Sequence, residues 1–272
     1  MAAAVTPGST LSPAPRAEPP AAGTGTSAPN IARMCDYLLG GKDNYAADRE
    51  SAERALRRCP IVPRLVQANR GFLDHAAARL AGDAGLRQFA DIGCGLPASV
   101  NVGDVVRRTD PACRVAYLDN DPMVLVHARA LLAVDENTGV VEADVRDPAA
   151  LLADPALRRL IDLAEPVGVF LLGVLDFVAD EDDPRGIVDA LAGGLAPGSH
   201  IVISHTERSP ELDPISRPHP RLGTPFRPRS MEEITGICRG LRLIEPYPVR
   251  LPHASHVTRP MPLIGCIGRV PG

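Results

Sequence analysis

The chain has 272 residues, of which 45% are apolar and 23% charged, with a formal net charge of -4. That composition supplies a sizeable core and excludes wholesale disorder, and the acidic balance without any long Lys/Arg run argues against a nucleic-acid partner. Aromatic residues make up only 3% and Trp is absent, so stacking surfaces for bare bases or sugars are few. The longest apolar stretch, 167–178, is broken by Gly173 and Asp176. It is too short to span a bilayer, so no membrane partner is expected. The opening MAAAVTPGSTLSP lacks the basic start and apolar run of a secretory signal. Six Cys at no repeated spacing read as reduced thiols rather than a disulfide framework, which points to the cytoplasm.

In chain order, residues 1–29 are rich in Ala, Pro, Gly, Ser and Thr without periodicity and read as a disordered tail. Residues 30–86 form a helical segment. Within it, 48–58 carries i,i+4 charge pairs on a helix. Leu65, Ala68, Phe72, Ala76 and Leu80 recur at helical spacing on a second. A turn-rich loop with two glycines, 38–44, precedes both. From residue 87 to 272 the text alternates strand, turn and helix. Strands are expected at 88–92, 114–119, 140–144, 167–173 and 200–205, and helices at 101–108, 122–134, 149–163 and 187–195. A Pro-rich loop, 206–230, leads to a helix opened by the capping box of Ser230 and Glu233. Two last strands, 241–247 and 262–270, bring the count to seven. Such alternation predicts an α/β fold, a doubly wound, mostly parallel seven-stranded sheet with helices on both faces.

In such sheets ligands bind beyond the carboxyl ends of the strands, near the point where strand order reverses. Those ends carry Asp91-Ile-Gly93-Cys-Gly95, then Asp119-Asn120-Asp121, then Asp144, then Gly173-Val-Leu-Asp176, then Ser204-His205. Gly93 and Gly95 allow a tight turn and close approach of backbone to ligand. Asp119, 26 residues after Gly93, stands where a carboxylate can accept from both ribose hydroxyls. Gly93, Gly95 and Ala98 formally satisfy a dinucleotide fingerprint. However, Asp91 would oppose a pyrophosphate, and Pro97 removes an N–H that a phosphate would use. Three carboxylates suit a cationic sulfonium ligand with an ammonium group, which favours S-adenosylmethionine over a nicotinamide dinucleotide.

The blocks 32–44 (ARMCDYLLGGKDN), 69–73 (NRGFL) and 87–97 (RQFADIGCGLP) resemble an actinobacterial family of S-adenosylmethionine-dependent methyltransferases. The likeness runs from about residue 30 to the C-terminus, and most members have no assigned substrate. It implies the class I methyltransferase fold, a small-molecule acceptor, and a helical N-terminal lid over the cofactor. It further implies that Asp91 with Gly93 and Gly95 flanks the methionine part and that Asp119 holds the ribose beside Asn120. Asp144 and Val145 should contact the adenine, Tyr37, Gly41 and Asn44 should belong to the lid, and Arg70 should pair with the methionine carboxylate. Three positions depart from the family pattern: Cys35 replaces the usual Tyr, Cys94 the usual Thr, and Asp176 a His that often follows the fourth strand.

Methyl transfer is an in-line displacement in which the protein supplies alignment, worth about 7–11 kcal/mol. A base is needed only for an acceptor that must lose a proton. His205 is the best-placed titratable group for that task and Asp176 the second. Each of these also has a plainer use, the carboxylates as turn or helix caps and His205 as a buried structural residue. His253 and His256 lack Cys or carboxylate companions at ligand spacing, so no metal is expected. Two other readings stay open: an NAD(P)-dependent oxidoreductase, and a non-catalytic S-adenosylmethionine-binding protein on the same fold.

Overall fold

The computed structural model describes residues 26–216, 224–252 and 261–272. Most of the 1–29 tail, part of the Pro-rich loop, and both His253 and His256 lie outside the described residues. Eight strands form one sheet: β1 (Gln88–Ile92), β2 (Arg114–Asp119), β3 (Thr138–Glu142), β4 (Gly168–Leu172), β5 (His200–Thr206), β6 (Arg242–Leu243), β7 (Val249–Arg250) and β8 (Leu263–Arg269). Their order is β3-β2-β1-β4-β5-β8-β6, with the two-residue β7 pairing β8 beside that path. The first five strands pair in parallel, and β8 runs antiparallel to its neighbours β5, β6 and β7. Seven strands were expected; the one expected over 241–247 is only Arg242–Leu243, and the equally short β7 is an eighth.

Side-chain alternation assigns the two faces. Ile92, Leu118, Leu171, Ile201 and Ile203 point to one core, where they meet Ile187, Val188 and Leu191 of α8 (Pro184–Gly193) and Ile234 of α9 (Met231–Ile237). Phe89, Val115, Phe170, Val202 and Ile267 point to the other, where they meet Leu65, Phe72, Leu73 and Leu80 of α3 (Val62–Gly82). The apolar stripe read from sequence is thus a sheet-covering face. The last helix of the 30–86 segment packs into the sheet's own core, and α1 (Ile31–Leu38) and α2 (Ala46–Arg58) lie outside it.

Helix starts follow local chemistry. Asp121 accepts from the Met123 N–H at 2.7 Å to cap α5 (Pro122–Leu131), with Pro122 in the first turn. The single helix expected over 149–163 is two, α6 (Pro148–Ala153) and α7 (Pro155–Leu160). Pro155 has no N–H to continue α6 and forces Asp154 out of helical geometry, so Asp154 caps α7 instead. A short helix, α4 (Val102–Val106), follows the β1 turn and is capped by Asn101.

Candidate cofactor and acceptor site

The strand order reverses at β1, which has β2 on one side and β4 on the other. At its tip Gly93 and Gly95 both adopt left-handed backbone, with φ of 68° and 66°. A Cβ on Gly93 would lie 2.5 Å from Val174 Cγ2, so the turn also needs the missing side chain to pack against the β4 tip. The turn's Gly95 N–H donates to Asp119 Oδ2 at 3.0 Å, and the Asp121 N–H to Asp119 Oδ1 at 2.9 Å. The two strand-end carboxylates are therefore drawn to one side of one loop.

Asp91 and Asp119 are both buried. Burial pushes the Asp91 carboxyl up to about 7; the Arg70 guanidinium opposes that rise and neighbouring Asp119 adds to it. Burial likewise raises Asp119, against the backbone N–H groups that hydrogen-bond it. Among the described residues no hydrogen bond reaches the Asp91 side chain, and none engages the half-buried Arg70. A desolvated carboxylate and a guanidinium without a hydrogen bond thus lie within electrostatic reach of each other. Cys94 in the turn is held well above the usual thiol range by burial and by Asp91 and Asp119. Cys35, close enough to feel Arg70, is pushed by burial up to about 11. Both thiols are therefore protonated fillers rather than nucleophiles.

Asp144, beyond β3, is tied to Arg146, whose Nε donates to it at 2.9 Å, and to Asn120 Nδ2 at 3.4 Å. Partial burial works against its charge, but the Arg146 hydrogen bonds outweigh it and hold the carboxyl below the usual range. Val145 packs against the neighbouring core. Hydrogen bonds thus run from the turn after β1 to Asp119 at the tip of β2, and from the adjoining Asn120 to Asp144 beyond β3.

The N-terminal residues divide. Asn30 caps α1 by accepting from the Arg33 N–H at 3.2 Å, and its Nδ2 donates to Asp121. Ala32 is the nearest neighbour to the open side of Gly95, so α1 lies across the turn. The buried Arg33–Asp48 pair at 2.8 Å fastens α1 to α2. Among the described residues no hydrogen bond links Tyr37, Gly41 or Asn44 to Asp91 or Asp119. The Tyr37 hydroxyl donates to Glu53 at 3.1 Å, and Asn44 Nδ2 donates to Asp36 at 2.8 Å and to the Gly41 carbonyl at 3.1 Å. These three residues shape the loop after α1. Asn30 was not singled out, although an Asn ahead of an apolar helix is a cap signal, and its partner Asp121 stands at the β2 tip.

On the β4–β5 side the structure gives His205 a setting unlike the one expected for a base. The ring is fully buried. Its Nε2 meets Arg229 Nη1 at 2.8 Å, and Arg can only donate, so the proton sits on Nδ1. Nδ1 in turn faces the Thr206 carbonyl at 3.0 Å and Asp176 Oδ1 at 3.2 Å. Both nitrogens are therefore occupied by protein partners. Arg229 also donates to the carbonyls of Leu175 at 2.8 Å and Val178 at 2.9 Å. The ring thus links the loop around Arg229 to the turn after β4. Asp176, buried in that turn, accepts from the Thr206 N–H at 2.8 Å through Oδ1.

Among the described residues no group of three His, Cys, Asp or Glu could hold a metal ion, and no helix is long and apolar enough to cross a membrane. The donor set at the β1 and β2 tips suits an α-amino acid joined to a ribose: a carboxylate for an ammonium, a guanidinium for a carboxylate, and a second carboxylate for vicinal hydroxyls. No curated protein matches the chain. Among solved structures it is similar to a candidate methyltransferase from Thermobifida fusca YX, at 37% identity and TM-score 0.86 over 93% of this chain and 99% of that one. A DUF574 family protein from Streptomyces avermitilis MA-4680 is similar at 37% identity and TM-score 0.85, over 90% of this chain and 99% of that one. The family model described as S-adenosyl methyltransferase matches residues 18–256, which sets aside a nicotinamide oxidoreductase. The chain belongs to the S-adenosyl methyltransferase family and is an S-adenosylmethionine-dependent methyltransferase.

Proposed function

We propose that the cofactor lies across the tips of β1, β2 and β3, and that the chain methylates a small-molecule acceptor in the cytoplasm. Asp91 takes the ammonium and Arg70 the carboxylate of the methionine part, with the Gly93–Gly95 turn beneath it. Asp119 accepts from the ribose hydroxyls with Asn120 alongside. Asp144, steadied by Arg146, and Val145 border the adenine. The α1 helix, held by Asn30 and shaped by Tyr37, Gly41 and Asn44, acts as the lid. The single observation that carries this reading is Asp91, a buried carboxylate without a hydrogen bond beside a guanidinium without one.

S-adenosylmethionine supplies an electrophilic methyl and a thioether leaving group. The protein's share is alignment: Asp91 and Arg70 would fix the amino acid end, and the acceptor enters from the β4–β5 side. Asp176 is the carboxylate on that side, and His205 holds it in place. Calorimetric titration with S-adenosylhomocysteine tests the clamp. Arg70→Ala and Asp91→Asn should each weaken binding at least tenfold at pH 7.5, and unchanged affinity in both would sink the assignment.

A further inference from the structure

Resting on that cofactor placement, we infer that the acceptor is a hydroxyl group, received by Asn69 and Asp176 at the tip of β4. Asn69 lies on α3, one residue before Arg70, and therefore faces β4 and β5 rather than β1. Ser204 Oγ, on β5, donates to Asn69 Oδ1 at 2.5 Å. That bond commits the amide's oxygen and turns its Nδ2 toward Gly173. Gly173 has a φ of 69°, and among the described residues, its two chain neighbours aside, the atoms within 4 Å of the point where its Cβ would stand are Asn69 Nδ2 at 3.4 Å and Asp176 Oδ2 at 3.8 Å. Asp176 is buried, with Oδ1 committed to Thr206 and His205. Its Oδ2 takes no hydrogen bond among the described residues. A free amide donor and a free carboxylate oxygen thus converge on one open point, next to the turn that Val174 packs against Gly93.

Hydrogen-bond counting selects the acceptor. A hydroxyl oxygen has one proton and two lone pairs. It can donate to Asp176 Oδ2, accept from Asn69 Nδ2, and still hold one lone pair for the methyl. A neutral amine has a single lone pair, so meeting Asn69 would consume the electrons needed for attack. An ether has no proton for Asp176, and a carboxylate would be repelled by it. In the transfer the oxygen lone pair forms the new O–C bond. The C–S bond breaks with its electrons going to sulfur, which turns sulfonium into thioether. The hydroxyl proton passes to Asp176 Oδ2 and from there to water. Asn69 and Asp176 touch the acceptor, while Ser204 is a positioning residue acting through Asn69.

The test titrates the full chain, saturated with S-adenosylhomocysteine, with phenol and propan-1-ol, and separately with aniline, propylamine and anisole. Binding is followed by the side-chain amide NMR signals of Asn69, identified as the pair missing from Asn69→Asp. Both hydroxyl probes should shift that pair, with affinities at least tenfold above the amines and the ether. Asn69→Asp should abolish hydroxyl-probe binding while leaving S-adenosylhomocysteine affinity within twofold. Ser204→Ala should move the Asn69 signals before any probe is added and weaken the hydroxyl probes at unchanged melting temperature. Amines binding as well as alcohols, or no shift with either hydroxyl probe, would overturn the inference. Failure of S-adenosylhomocysteine to bind the wild-type chain would instead condemn the cofactor placement.

Discussion

Acidification should loosen the cofactor's grip through one carboxyl group. Asp91 titrates at about 7 in the folded protein because it is buried. An ammonium needs it ionised, so below that pH binding must first remove a proton. The apparent dissociation constant is then multiplied by one plus ten to the power of the difference between this value and the pH. The factor is about 11 at pH 6 and about 1.3 at pH 7.5, so affinity for S-adenosylhomocysteine should fall about eightfold, or about 1.2 kcal/mol, across that interval. Calorimetry in buffers of different ionisation enthalpy should count about half a proton released per ligand at pH 7. Asp91→Asn should bind weakly and without this slope. The sign for stability is the reverse of the usual carboxylate case. A carboxyl raised in the folded state costs stability as pH climbs from about 4 to 7, so Asp91→Asn should stabilise the ligand-free chain at pH 7.5. An affinity flat between pH 6 and 7.5 with no proton release would refute the argument.

Other outcomes follow from the same geometry. Asp119→Ala should weaken S-adenosylhomocysteine by about 1.5–3 kcal/mol, because a charged acceptor is lost; unchanged affinity with lowered stability would mean it serves only the Gly95 and Asp121 N–H groups. Arg229→Ala leaves His205 Nε2 and the Val178 carbonyl without their donor, while the Leu175 carbonyl keeps the Val178 N–H at 3.3 Å. At about 1–3 kcal/mol for each such group, urea denaturation should report a loss of several kcal/mol. Arg33→Leu strands the buried Asp48 charge and should cost about 3–5 kcal/mol, with hydrogen exchange showing α1 released first. Gly93→Ala forces a left-handed residue and a clash with Val174; the strain alone is worth about 1–2 kcal/mol, visible as a lower melting temperature.

The sheet was readable because its signals are local. A glycine or aspartate at a strand's end marks the end whatever the rest of the chain does, and Asp91, Asp119 and Asp144 do stand in or just beyond the C-terminal ends of β1, β2 and β3. The helix over Ile31–Leu38 was not readable, since eight residues give two turns of periodicity and the glycines after it suggest loop. His205 looked like a base because it is titratable and stands at a strand end. What disarms it is Arg229, 24 residues later, arriving from a Pro-rich stretch with no periodic pattern. Asn69 was visible only as part of a block; its partner Ser204 is 135 residues away. Contacts of that span leave no mark on spacing, and a polar residue inside a helix reads as solvent-facing until the sheet is laid beneath it.

The one strand that runs against the others binds three partners at once. Among the described residues, strands β6 and β7 pair only with β8, and β5 owes one whole side of its ladder to it. The C-terminal edge therefore behaves as a zip with a single slider. Any fluctuation that withdraws β8 sets free both short strands and bares the amides of β5, directly behind Ser204 and Thr206. Native-state exchange should find β6, β7 and β8 opening as one cooperative unit, in register with disorder at the β5 tip.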